Sequence, residues 1–184
     1  MDDIIDAQRS CMVLVDYQAR LMPAIAGAQA VIDSAALIAH AARELGIRAV
    51  ATEQNPARLG ATVAPLQSLA GATIAKTHFD ACEDGLADAV GGDARHIVIA
   101  GCESHVCLLQ TALGLLRRGH RLWVVGAACG SRRHSEHQLA MQRLAQAGAV
   151  IVSPEMVLFE WLRSFEHAQF KSLHALIKAA PLGS

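Results

Sequence analysis

Three short stretches carry side chains able to do chemistry together. "CMVLVD" (11–16) is an apolar run ending in Asp16, "ATIAK" (72–76) ends in Lys76, and "IAGCESHVCLLQT" (99–111) holds Cys102 and Cys107 around Glu-Ser-His. A carboxylate, an amine and a thiol brought to one place make a nucleophile with a proton acceptor and a steadying charge. If Ser104 caps the helix that follows, His105, Val106 and Cys107 occupy its first positions, beside unpaired backbone N–H groups at the positive helix end. That end and a nearby Lys76 both favour the thiolate, and Asp16 is placed to accept its proton. Each residue alone also has a plain structural reading. Cysteine is among the most buried residue types, aspartate is common at the end of a first parallel strand, and a strand-end lysine is usually solvated. Cys102 and Cys107 admit a redox pair as well, although C-x4-C has no mechanism behind it comparable to C-x-x-C.

The elements that must position these groups alternate along the chain. Strands are predicted at 11–16, 47–53, 72–76, 96–101, 121–127 and 149–153, each a short apolar run. Helical segments lie between them: "AVIDSAALIAHAAREL" with Val31, Ala35, Ile38, Ala42 and Leu45 on one face and Gly46 to end it, then stretches around 63–70, 104–118 and 134–147. Ser153-Pro154 forms an N-cap and first-turn pair for a helix through Leu162, and Phe170, Leu173, Leu176 and Ile177 mark a last amphipathic helix. Strands apolar on both faces and separated by helices make a parallel sheet covered on both sides. The predicted fold is α/β: a three-layer, doubly wound, Rossmann-like, six-stranded parallel sheet in a single domain spanning 1–184. Right-handed crossovers then put functional groups at the carboxyl ends of the strands, where Asp16, Lys76 and the 101–107 turn all fall.

Composition narrows the function classes. The chain has 184 residues, 53% hydrophobic and 18% charged, with formal net charge −1. It has no basic cluster beyond Arg117-Arg118 and Arg132-Arg133, so there is no electrostatic footprint for nucleic acid or an anionic membrane. No apolar run has bilayer-spanning length, and "MDDIIDAQRS" is acidic and too short for a signal peptide. Five irregularly spaced cysteines point to reduced thiols in a cytoplasm, with Cys11, Cys82 and Cys129 read as packing or loop thiols. No G-x-G-x-x-G follows a strand, so no dinucleotide site is predicted.

With these residues in view, "VLVDYQ", "TEQNPARLG", "AKTHFDA", "IAGCESHVCLLQTALGLLRRGHRLWVV" and "FKSLHALIK" together resemble the isochorismatase-like cysteine hydrolases, in particular the isochorismatase-domain-containing branch. The likeness runs from about Met12 to about Lys178 and keeps the order Asp, Lys, Gly-x-x-[Ser/Thr]-x-x-Cys. The resemblance implies a catalytic triad of Asp16, Lys76 and Cys107. The thiolate attacks an amide-type carbonyl, a thioester forms, ammonia or an amine leaves, and water completes hydrolysis. It also implies a non-proline cis peptide at Cys102–Glu103, with the N–H groups of Glu103 and Cys107 aimed at the developing oxyanion. Cys102 is then a turn residue where the family often has a small apolar side chain.

Departures from the family pattern bear on the substrate. Nicotinamidases often carry aspartate two positions before the nucleophile, where this chain has His105. Their metal-binding aspartate and histidines have no counterpart in "TEQNPARLGATV", and the end of the fifth strand, commonly acidic, reads "GAACG". No metal or other cofactor is therefore expected, and nicotinamide is disfavoured. True isochorismatases lack the nucleophilic cysteine, so Cys107 argues against enol-ether cleavage too. Tyr17, Gln18, His78, Phe79 and His105 are candidate pocket residues, with core packing or structural hydrogen bonding as the alternative. His134 and His137 sit beside Arg132, Arg133 and Glu136 and read as a solvated helix start rather than metal ligands, with Ser135 and Gln138 as a capping box. The expected protein is a cytoplasmic amidase-type hydrolase acting on a small-molecule amide or ureido substrate, without nucleic-acid or membrane partners. The resemblance and the apolar faces between Val157 and Ile177 also imply a homo-oligomer, a dimer or higher. The alternatives are a catalytically idle oligomeric scaffold and a thiol-based redox sensor.

Overall fold

A computed structural model describes residues 4–180. Six strands, β1 (Ser10–Val15), β2 (Arg48–Gln54), β3 (Ala72–Lys76), β4 (His96–Gly101), β5 (Arg121–Val125) and β6 (Val150–Val152), form one sheet in the order β3-β2-β1-β4-β5-β6. Every pairing is parallel. The helices are α1 (Ala28–Glu44), α2 (Pro56–Leu59), α3 (Ala64–Gln67), α4 (Leu86–Val90), α5 (Leu109–Arg117), α6 (His134–Gln146), α7 (Pro154–Leu162) and α8 (Phe170–Ala179). The predicted α/β doubly wound sheet is the observed one.

Burial follows sheet position. The central strands β1 and β4 are buried at every residue, which requires cover on both faces and accounts for their unbroken apolar runs. The edge strands β3 and β6 expose most of their residues. Helix α1 packs with α3, α7 and α8, whereas α5 packs with α6. Gly46, in the left-handed region at φ 70°, ends α1 as its spacing predicts. Ser153 accepts from the Met156 N–H, so the predicted start of α7 is also observed.

Two predicted helices differ. The stretch at 63–70 yields only the four-residue α3, with Pro65 in its first turn. The stretch at 104–118 begins as a π-helical turn, Ser104–Leu108, before α5 takes over, and the Leu108 N–H reaches back five residues to the Glu103 carbonyl at 3.3 Å. This wide turn carries the nucleophile candidate.

The strand order reverses between β1 and β4, where a doubly wound sheet opens a crevice at its carboxyl end. The two strands come very close there: a Cβ at Gly101 would lie 2.4 Å from the Val15 carbonyl oxygen, so glycine is required. One residue on, Asp16 turns the chain with φ 53°, uncommon for a residue with a side chain, while its N–H stays tied to the Thr52 carbonyl at 3.1 Å.

Candidate active site

Strand register assembles the site. Val15 pairs with both Thr52 and Gly101, and Gln54 pairs with Lys76, so the ends of β1, β2, β3 and β4 converge. Asp16 and Lys76 meet there with Oδ2 and Nζ 2.8 Å apart, and neither side chain has any solvent exposure. The other carboxylate oxygen, Oδ1, accepts from the Thr52 hydroxyl at 2.6 Å. At that separation the Lys76 ammonium and Oδ2 form a close ion pair. Among the described residues, Oδ2 is the buried side-chain oxygen left without a hydrogen-bond donor.

The Lys76 ammonium also donates to Gln54 Oε1 at 2.6 Å, the His78 carbonyl at 3.2 Å and, more weakly, the Phe79 carbonyl at 3.5 Å. Cys107 is buried in the π-helical turn, its Sγ 4.0 Å from the same Gln54 Oε1. Burial pushes its thiol up to about 12, and the Asp16 carboxylate adds to the rise as a charge and as an acceptor; Lys76 opposes both without overcoming them. This corrects the expected thiolate. Lys76 and Asp16 neutralise one another, so the loss of hydration decides, and the resting group is a neutral thiol. The other four cysteines are also buried free thiols pushed upward, mainly by burial.

The Cys102–Glu103 peptide bond is cis, at the position the family resemblance implied. Ser104 does not cap the helix. Glu103 holds the N-cap position without a side-chain cap bond, and the Ser104 hydroxyl instead pairs with His137 Nδ1 at 2.9 Å. The segment 130–137 grips the nucleophile turn at several points. Gly130 accepts from the Ser104 N–H at 2.8 Å, and the Ser131 hydroxyl meets His105 Nδ1 at 2.9 Å. The Glu103 carboxylate takes the Arg132 backbone N–H at 2.9 Å and its guanidinium at 2.6 Å from Nη2. Those hydrogen bonds hold the Glu103 carboxyl below its ordinary value. The Glu103 N–H itself has no acceptor among the described residues. The predicted capping box on α6 does not form: Arg133 is its N-cap residue, without a side-chain cap bond.

The candidate pocket residues divide. Tyr17 and Gln18 are fully buried and act as braces. The Tyr17 hydroxyl donates to the Ala128 carbonyl, and the Gln18 side chain clasps Gln54 through its N–H at 2.8 Å and its carbonyl at 3.1 Å. His78 is turned outward against Asp84 at 3.2 Å, and Phe79 is half exposed. His105 is partly buried against Ser131. A cavity of about 380 Å³ is lined by Gln54, Asn55, Pro56, Ala57, Ala75, Lys76 and Thr77; it shares Gln54 and Lys76 with the site but not Asp16 or Cys107, and none of the five candidate pocket residues is in its wall. A larger hollow of about 760 Å³ lies at the opposite, amino end of the strands, among Ser10, Ile47 and Arg48, and shares no residue with the triad. Thr52, Gln54 and Arg132 were not singled out from sequence. Gln54 follows directly from "TEQNP" at a strand end, but its contacts arise from β2–β3 register, which no local pattern encodes.

The fold and this polar cluster at the strand reversal define an α/β protein with a hydrolase-family architecture, and comparison with known proteins agrees. Residues 10–156 match the family described as the isochorismatase domain, and the chain belongs to that family. It is 37% identical over 171 residues to isochorismatase domain-containing protein 1 of Danio rerio, covering 90% of this chain but 59% of that relative's length. The solved structure of MAR1 ribonuclease from Caenorhabditis elegans is similar with TM-score 0.91 and 31% identity, covering 97% of this chain and 94% of that one. The YcaC gene product of Escherichia coli, described as an octameric hydrolase of unknown specificity, shares the fold with TM-score 0.83 at 20% identity, covering 97% of each chain.

Proposed function

We propose that the protein is a cysteine hydrolase that cleaves a C–N bond of a small amide or ureido compound through a thioester. Cys107 is the nucleophile, Asp16 the proton acceptor and Lys76 the fixed counter-charge. The observation that carries this reading is the Asp16–Lys76 pair, wholly withdrawn from water beside the Cys107 thiol, on which both act. A buried ion pair contributes little net stability, because desolvating the charges offsets their attraction. Its presence next to a thiol calls for a chemical reason.

In the proposed cycle the resting thiol is neutral, so proton transfer to Asp16 accompanies attack of sulfur on the carbonyl carbon. The oxyanion forms against the N–H groups of Glu103 and Cys107, donors of a kind typically worth about 3–4 kcal/mol of barrier each. The leaving nitrogen takes the proton from Asp16. Water then attacks the thioester, Asp16 accepts its proton, and the carboxylic or carbamic product departs as the thiol is restored. No step draws on a metal or cofactor. Screening small amides and ureido compounds for ammonia release, with mass spectrometry of quenched protein for an acyl group on Cys107, tests the cycle. Turnover surviving in Cys107→Ser would refute it.

The same reading takes the chain as a cytoplasmic, single-domain protein with a small-molecule substrate and no nucleic-acid or membrane partner. It also takes the chain as a homo-oligomer, which the exposed Met156, Phe159 and Phe165 on and beyond α7 support, as does the octameric Escherichia coli neighbour. Light scattering at micromolar concentration checks the assembly. A second reading, RNA cleavage, is favoured by the name and 31% identity of the nematode structure. Cleavage of labelled RNA that disappears in Cys107→Ser would support it over amide hydrolysis.

A further inference from the structure

The hollow of about 760 Å³ at the amino end of the strands plays no part in the proposed reaction, yet its wall carries a concentration of positive charge. Formal net charge over the whole sequence is −1, but here Arg9, Arg43 and Arg48 share the wall with a single carboxylate, Asp93. The fold gathers them from separate places: Arg9 precedes β1, Arg43 lies in the last turn of α1, and Arg48 begins β2. None is neutralised at close range. The Arg9 side chain has no hydrogen bond or ion pair among the described residues. Arg43 meets His40 Nδ1 at 3.2 Å, and because a guanidinium can only donate, that imidazole is neutral. Burial and the Arg43 charge both hold His40 below its ordinary value. Arg48 is seated by its backbone neighbours: Nη1 donates to the Val90 carbonyl at 2.6 Å, and a Cβ at Gly91 would run into it. Its contact with Asp93 is loose, 3.9 Å between exposed side chains. Nearby acids are engaged elsewhere, Glu44 with the Ser172 hydroxyl and Asp6 with the Gln8 N–H at 3.0 Å. The Leu45, Gly46 and Ile47 N–H groups take up the Ala41, Arg43 and Ala42 carbonyls, which blunts the negative end of α1.

We propose that this hollow binds a small organic phosphate, its dianionic head on the guanidinium groups of Arg9, Arg43 and Arg48 and its body against Leu45, Ile47 and Leu69. Three arginines against one aspartate leave two positive charges unmatched, which suits a phosphate monoester better than a single carboxylate. Guanidinium groups also present paired donors that fit phosphate oxygens. The volume lies within the range of small-molecule sites, about 300–1,000 Å³. The proposal does not rest on the hydrolase reading, since the hollow shares no residue with Asp16, Lys76 and Cys107.

The test is isothermal titration of the full chain at low ionic strength and a pH of about 7.5, where a phosphate monoester is mostly dianionic. The probes are adenosine 5′-monophosphate, ribose 5-phosphate, adenosine and succinate. Either phosphate should bind at concentrations up to about 1 mM, more weakly as salt is added, while adenosine and succinate should not. Tighter binding of the nucleotide would mark the source as a nucleotide, and equal or tighter binding of the sugar phosphate would mark it as a sugar phosphate. Arg9→Gln and Arg43→Gln, both at exposed positions, should keep Tm close to the parent's and each weaken binding about tenfold, the loss of one charge-assisted hydrogen bond. Cys107→Ser should bind as the parent does. No binding of either phosphate, affinity unchanged in both arginine variants, or succinate held as tightly as the phosphates would overturn the proposal. So would loss of binding in Cys107→Ser, which would put the ligand at the nucleophile turn instead.

Discussion

Replacing Asp16 with asparagine should make the Cys107 thiol more reactive while turnover collapses. The carboxylate raises the thiol both by its charge and as an acceptor, and Lys76 alone pulls the other way. Asparagine is nearly isosteric, so burial stays and the charge balance swings to Lys76. A charge within about 4–6 Å moves a pKa by about 1–3 units, and the thiol should come down from about 12 by roughly that amount. A more acidic thiol is also a weaker nucleophile, which returns about 0.4–0.5 of the logarithmic gain. Alkylation at a fixed, mildly alkaline pH should then run about 3- to 50-fold faster than in the parent protein.

Turnover should move oppositely, since a positioned general base contributes about 10²–10⁴-fold. The assay is iodoacetamide labelling with peptide mapping of Cys107, run beside ammonia release on a substrate found by screening. Slower alkylation in Asp16→Asn would show that the carboxylate activates the resting thiol, contrary to the burial-dominated picture. Turnover within tenfold of the parent would remove Asp16 from the mechanism.

Three other outcomes follow from single contacts. Lys76→Met leaves Asp16 without exposure and with Thr52 as its remaining hydrogen-bond partner, so chemical denaturation should show a loss of about 3–5 kcal/mol; a loss under about 1 kcal/mol would mean water reaches the carboxylate. In Arg132→Met the depressed Glu103 carboxyl loses its partner. A depressed acid stabilises the fold above its unfolded value of 4.5 and ceases to as pH falls through the folded one, so the difference in Tm between parent and variant should be widest near neutral pH and shrink below 4.5. Gly114→Ala should lower Tm through an overpacking cost of about 1–3 kcal/mol, because its Cβ would lie 2.3 Å from the Asp80 carboxylate oxygen engaged by Arg117 and 2.5 Å from the one that accepts from the Cys82 N–H.

What was legible in the sequence and what was not divide along a physical line. The sheet was readable because β1 and β4 are buried on both faces, and a strand buried that way has to be written in Val, Ile, Leu and their like. Asp16 and Lys76 were readable as the polar residues that end such runs, and Cys107 as a thiol at a turn between strand and helix. These are local signals with a period or a boundary. Thr52 and Gln54 enter the site through parallel register, Val15 against Thr52 and Gln54 against Lys76, and register between strands distant in sequence leaves no local mark. The missed cap is the same kind of case: spacing favours Ser104 at a helix start, but His137, on another helix, takes its hydroxyl.

The thiol shows most sharply why charge cannot be read from neighbours alone. The helix end and Lys76 both argue for a thiolate, and each is present. The Asp16 carboxylate that makes Lys76 tolerable in the interior also cancels its field at the sulfur, and with the field cancelled the removal of water governs. A sequence names the charges, but only the packed structure shows how completely water has been excluded around them. In the proposed hydrolase cycle a thiol so placed loses its proton in the act of attack, which gives the Asp16 carboxylate a larger part in the chemistry than the thiol's own acidity.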